Sequence, residues 1–91
     1  MATIWKYEIA QKSIQQIDLP EGAEVLAVQS QYDFPYIWAL VNPSEPTKPR
    51  EFHLYGTGHP IHQRESLAYV GTFQLQGGDL VFHLFEKIND L

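Results

Sequence analysis

The sequence predicts an all-β fold of about seven antiparallel strands, arranged as a small sandwich or barrel. Three observations lead there. Apolar residues alternate at period two in short segments along almost the whole chain. Proline, glycine, asparagine and aspartate punctuate these segments at short intervals. No stretch of ten or more residues carries apolar side chains at helical spacing. At 91 residues the chain makes one domain, 1–91. A chain of this length buries only roughly 60% of its unfolded surface, so its core is modest.

The elements follow in order. From Thr3 to Ile9, Trp5, Tyr7 and Ile9 share one face and Lys6 and Glu8 the other. Ile14 to Leu19 is a weaker strand. Leu19-Pro20-Glu21-Gly22 is a turn, with Pro fixing one φ and Gly free to take a positive one. Ala23 to Gln31 is a strand, and Tyr32-Asp33-Phe34-Pro35 is the next turn. Tyr36 to Val41 is the most hydrophobic strand. Asn42 to Pro49 holds three prolines in eight residues and reads as an exposed loop outside any ladder. Arg50 to Tyr55 is a strand that stops at Gly56-Thr57-Gly58. Ala68 to Leu75 and Leu80 to Glu86 form a hairpin through Gln76-Gly77-Gly78-Asp79. The residues from about Glu86 onward are the only ones with room for a helical turn.

Three of these strands are apolar on both faces. Tyr36, Trp38 and Leu40 alternate with Ile37, Ala39 and Val41. Leu26 and Val28 alternate with Ala23, Val25 and Ala27. Leu80, Phe82 and Leu84 alternate with Val81 and Phe85. A two-layer β domain covers one face of each sheet, and no helix is available to cover the second. The expected cover is another copy of the chain, making the protein a homo-oligomer; a tightly closed barrel with uneven alternation is the alternative.

Composition narrows the function. There are no cysteines, which excludes a disulfide scaffold and thiolate-bound zinc and suits a reducing cytosol. The start of the chain lacks a basic segment followed by an apolar run, so no signal peptide is expected. No stretch approaches the ~18 apolar residues of a membrane helix, so no membrane partner is expected. A net charge of −5 argues against a nucleic-acid partner, which needs a dense basic face. No cysteine nucleophile or G-x-S-x-G elbow is present, so the protein reads as a binder and not an enzyme. The four histidines show no H-E-x-x-H and no recognisable carboxylate offset, so neither a metal nor any other cofactor is expected. His83, between Phe82 and Leu84, reads as a packed histidine.

The candidate site centres on Gly56-Thr57-Gly58-His59. Glycines let backbone N–H groups converge into an anion-holding nest, and Thr57 and His59 add a hydroxyl and an imidazole. Arg50, Lys48 and Arg64 flank the segment in sequence and supply charge for a phosphate. The alternative is a strand end that needs positive φ twice, with His59 on its rim. The pattern is neither a P-loop nor a dinucleotide fingerprint, and no helix follows it. Aromatics make up 13% of the chain. Trp5, Tyr7, Tyr32, Phe34, Tyr36, Trp38, Tyr55 and Tyr69 are candidates to line a cleft between subunits and stack a base, worth about 1–3 kcal/mol. For any one of them the core is the alternative, and Tyr32, Phe34 and Tyr36 around the Pro35 turn are the exceptions.

The segments "TIWKYEI", "IDLPEGAEVLAVQSQ", "YIWALVNP", "GTGHPI" and "YVGTFQLQGGDLVFHLFE" together resemble a group of short, uncharacterised bacteriophage and prophage proteins. The resemblance spans Thr3 to Glu86 and brings no activity with it. It implies an accessory protein in the cytoplasm of an infected bacterial host. Some phage accessory proteins of this kind sequester nucleotide-derived signals of bacterial immunity. The resulting expectation is an anti-defence protein that holds a small nucleotide-like ligand without chemistry. Arg50 and Gly56 to His59 would hold phosphate or ribose, and Tyr36, Trp38 and Tyr55 would provide aromatic surface. An acidic adaptor that docks on a host protein, or a virion component, are the competing expectations.

Overall fold

The computed structural model describes residues 1–88. Seven strands form two antiparallel sheets: β1 (Thr3–Glu8), β2 (Ile14–Pro20), β3 (Glu24–Gln31), β4 (Phe34–Val41), β5 (Thr47–Gly56), β6 (Leu67–Leu75) and β7 (Leu80–Lys87). The three-stranded sheet has the order β1-β4-β3 and the four-stranded sheet β2-β5-β7-β6. The strand reading of the sequence holds for all seven elements, because half-buried strands in both sheets keep the period-two pattern. The helical turn expected near the C-terminus does not form at Glu86 and Lys87, which extend β7; residues 89–91 lie outside the described ones.

The sheets pack face to face as a sandwich. Ile37, Ala39 and Val41 of β4 and Val28 of β3 project from one sheet into a core completed by Leu19, Phe52, Leu54, Phe73, Leu75 and Leu84 of the other. The two sheets approach closely where β3 meets β6. There, a Cβ built on Gly71 would lie 2.7 Å from Val28 Cγ1. Both strands are irregular near this point, with register shifts between Val25 and Ala27 and between Tyr69 and Gly71. Such bulges bend and twist a strand, which suits them to a close crossing.

Turn chemistry explains the connections. Gly22 takes φ +81° in a turn closed by Ala23 N–H donating to Pro20 O at 3.0 Å. The β3–β4 connection is tighter than the sequence suggests. Tyr32 and Asp33 both take positive φ, 51° and 66°, and Phe34 and Pro35 already belong to β4. Two central residues with φ > 0 match the right-handed strand twist of a hairpin, and Asp tolerates that region well. Asp33 Oδ1 then accepts the Gln76 N–H at 2.6 Å, tying the β3–β4 tip to the β6–β7 tip.

The proline-rich segment needs a correction. Thr47, Lys48 and Pro49 are not loop; they pair with Pro20, Leu19 and Asp18 of β2. The pairing of β5 with β7 runs from Phe52 to Gly56, so β5 has one open edge at Pro49. A strand tolerates a residue without N–H where an edge is free.

The two-faced strands resolve differently from one another. In β3 the bulge resets the alternation, leaving Val28 buried, Ala27 half-buried and Leu26 exposed. In β7 the outer-face Phe85 is only 6% exposed because the chain covers it itself. Tyr55 and Tyr69 meet its ring edge-on at 5.8 and 5.4 Å, and the Arg64 guanidinium lies 5.1 Å from its centroid. That second apolar face therefore needs no other copy. In β4 the alternation persists: Ile37, Ala39 and Val41 face the core, and Tyr36, Trp38 and Leu40 face outward. No helix among the described residues is long and apolar enough to cross a membrane.

Candidate functional site

The glycine-rich segment is a turn at the end of β5. His59 N–H donates to Gly56 O at 3.1 Å, and Gly58 takes φ +91°. A positive φ at the third position of a four-residue turn is the requirement of a type II turn, which glycine meets without strain. Only Gly58 needs that freedom. Gly56 is required for space, since a Cβ there would lie 3.0 Å from His59 Cε1. The imidazole thus rests on the bare Gly56 backbone.

This geometry engages two N–H groups of the expected anion nest. The His59 N–H closes the turn, and the Thr57 N–H donates to Val81 O at 3.2 Å. The Thr57 hydroxyl is also engaged, 2.8 Å from His83 Nε2. What remains is the His59 ring. Two adjoining hollows of about 350 and 220 Å³ meet beneath it and share Gly56, His59 and Phe82. The first continues to Asp79, Leu80 and Val81, the second to Gln11, Lys12 and Ser13. The β1–β2 connection is held in place there by Leu54 N–H, which donates to Ser13 O at 2.8 Å. The result is an open groove with Lys12 and Ser13 at one end, Leu80, Val81 and the Asp79 carboxylate at the other, and an imidazole between them.

The histidines differ in their partners. His53 has Nε2 2.6 Å from Glu51 Oε2 and Nδ1 3.4 Å from the Tyr55 hydroxyl. His83 is held on both ring nitrogens, by Thr57 at 2.8 Å and by Thr72 at 2.9 Å, as expected of a packed histidine. His59 has no side-chain hydrogen-bond partner among the described residues. Its ring is the one that both faces a groove and has its hydrogen-bonding capacity to spare. No group of three or more His, Asp or Glu side chains is placed to hold a metal ion among the described residues.

The remaining candidates fall elsewhere. Arg50 is not beside the turn. Its Nη2 donates to Glu86 Oε1 at 2.8 Å, its Nε to the other carboxylate oxygen, and its Nη1 to the Ala23 carbonyl. The Glu86 hydrogen bond raises its pKa above the ordinary arginine value against the opposing effect of burial. Tyr55 pairs with His83 on the outer face of the four-stranded sheet and packs on Phe85. Tyr36 and Trp38, edge-to-face at 5.9 Å, lie on the outer face of the other sheet, and neither lines the hollows at His59. The eight sequence candidates therefore divide into a turn, an inter-sheet clasp and two outer faces. Lys12, Ser13, Leu80 and Phe82 escape sequence reading, because strand order brings them to His59 and no local spacing marks them.

A larger hollow of about 680 Å³ lies between the end of β1 and β2. Its polar groups already serve the fold: Gln15 bonds the Ala10 N–H and carbonyl at 2.9 and 2.7 Å, and Glu51 holds His53. With Glu8 and Glu51 against Lys12, it is also unsuited to an anion.

Fold and groove define a small all-β sandwich protein with a recess beside the β5 turn, where the His59 imidazole has no side-chain hydrogen-bond partner among the described residues. The chain belongs to the family described as a domain of unknown function, DUF7352, whose model matches residues 1–90. No curated protein and no solved structure matches it.

Proposed function

We propose that the protein is a non-catalytic binder of a small anionic, nucleotide-like ligand, held in the groove under His59. One observation carries the reading: an imidazole with no side-chain hydrogen-bond partner among the described residues rests on a glycine between a hollow that holds Lys12 and one lined mainly by apolar side chains, with Asp79 at its rim. Lys12 and Ser13 suit a phosphate, His59 adds a directional hydrogen bond, and Leu80 and Phe82 offer a surface for a flat ring. The volumes are at the small end for ligand sites, which fits a partly exposed ligand. The resemblance to short phage proteins would make this sequestration of a signal in an infected bacterium's cytoplasm, a role that needs abundance and slow release only.

A thermal-shift series with cyclic di-AMP, cyclic GMP–AMP and ADP-ribose at about 1 mM tests it. A ligand with Kd of about 10 µM stabilises by ~2.7 kcal/mol, raising Tm by about 10 °C or more in a chain of this size. His59→Ala abolishes the shift while leaving the ligand-free Tm within about 2 °C of wild type, since the side chain is exposed. Gly56→Ala weakens it by pushing the imidazole off its seat. A shift unchanged in His59→Ala, or absent for every probe, overturns the reading.

A further inference from the structure

The outward face of β4 presents Phe34, Tyr36, Trp38 and Leu40, and among the described residues no strand or loop packs over it; only the Lys6 side chain reaches across. Phe34 is 56% exposed and Leu40 36%, and the neighbouring Ile4 of β1 is 54% exposed. By register, Ile4, Lys6 and Glu8 of β1 flank Leu40, Trp38 and Tyr36 on one side. On the other side β3 places Glu24, Ala27, Gln29 and Gln31 beside Leu40, Trp38, Tyr36 and Phe34. A row of large apolar side chains between two more polar edges is the anatomy of an interface with a rim.

The charges indicate what covers it. Lys6 does not stand straight up from β1. Its ammonium lies 4.5 Å from the Tyr36 ring centroid and 2.9 Å from Gln31 Oε1, so it reaches across β4 to the β3 side. A two-fold axis in the plane of the face and along β4 lays β1 of one copy over β3 of the other at the same level. Glu8 lies level with Tyr36, so the Glu8 of each copy then arrives where the other's Lys6 ammonium waits. Glu8 has no ion pair among the described residues. Strands running nearly parallel across the interface also match the aligned packing of stacked sheets.

We propose that the outer face of the β1-β4-β3 sheet is a self-complementary interface with a second copy of this chain, two-fold along β4 and closed by reciprocal Lys6–Glu8 pairs. Tyr36 and Trp38 then belong to subunit contact. The face is small, three strands wide, and belongs at the lower end of specific interfaces. The ligand groove beside β5 stays open in the dimer, so the two proposals stand or fall separately.

Sedimentation equilibrium of the full chain tests it. At about 100 µM the wild type sediments at twice its 10.5 kDa mass. Leu40→Glu raises the dimer dissociation constant at least ~100-fold, by desolvating a charge on the β4 seam, where the two-fold brings the two copies of this residue together beside Glu24. Lys6→Glu raises it at least ~10-fold, and Lys6→Glu with Glu8→Lys returns it to within ~3-fold of wild type. Both charge positions are exposed, so these variants keep the wild-type circular dichroism. A monomeric wild type at 100 µM overturns the interface. A dimer indifferent to Leu40→Glu, or charge reversal without rescue, overturns this assignment of face or axis.

Discussion

Replacing Gly71 with alanine lowers the unfolding free energy by about 2–3 kcal/mol, the upper part of the ~1–3 kcal/mol range for overpacking a close-fitted core. The position is not in a turn, and its conformation asks for no special φ. What it lacks is room. The built methyl would sit 2.7 Å from Val28 Cγ1, well inside van der Waals contact, with the Val28 backbone N and O 3.9 Å away. Val28 is 4% exposed and β-branched, so its χ1 is stiff and its methyl has little freedom to give way. The sheets must separate locally or the valine must leave its rotamer. Val28→Ala alone costs about 2 kcal/mol by leaving a cavity. The double variant Gly71→Ala/Val28→Ala is more stable than the sum of the singles by at least ~1 kcal/mol, because the added methyl occupies the space the valine vacates. Urea denaturation midpoints with unchanged slope read all three. Additive losses would mean that β3 and β6 do not meet at this pair.

Gly71 also shows where sequence reading stops. In the sequence it is one small residue in the run Tyr69-Val70-Gly71-Thr72-Phe73, with nothing to distinguish crowding from a flexible kink. The strands themselves were legible because each buries one face, and burying one face imposes a period of two. The hairpin at Gln76–Asp79 was legible for a similar local reason: paired glycines supply positive φ at 66° and 99°. Pairing was not legible. Nothing near Thr3 indicates that β1 lies on β4, or near Ile14 that β2 lies on β5, since Thr3 pairs with Val41 and Ile14 with His53, far apart in sequence. The bulge at Leu26 was hidden for the same reason, because a register shift exists only relative to a partner. Half of the candidate site followed this division. The turn residues Gly56 to His59 form one local unit, whereas Lys12 and Phe82 come to the groove through strand order. Arg50 misled because it flanks the glycine turn in sequence, yet an extended strand separates the two and carries its guanidinium to Glu86 and the Ala23 carbonyl.

Arg50→Met therefore acts on stability and leaves ligand binding intact. The guanidinium spans both layers, forking onto Glu86 of β7 and donating to the Ala23 carbonyl just before β3. The side chains of Arg50 and Glu86 are 24% and 20% exposed, so water screens the pair only in part. Losing one partner of a fully buried ion pair costs about 3–5 kcal/mol, and with this much exposure we expect about 2–3 kcal/mol. Most of it is the cost of an unpaired Glu86 carboxylate, so Arg50→Met/Glu86→Leu recovers to within about 1 kcal/mol of wild type. The arginine pKa is raised in the folded state, so its contribution is fully present below the ordinary arginine value and fades only as pH climbs through the folded one. That window is far into alkali, and the arginine's own titration leaves the stability difference flat from about pH 6 to pH 9. Guanidinium melts across that range measure it. The same variant separates a clasp from a ligand cation: below its lowered Tm, Arg50→Met keeps the nucleotide-induced shift that His59→Ala loses. Loss of the shift in Arg50→Met with no loss of stability would return Arg50 to the binding site and remove it from the link between sheets.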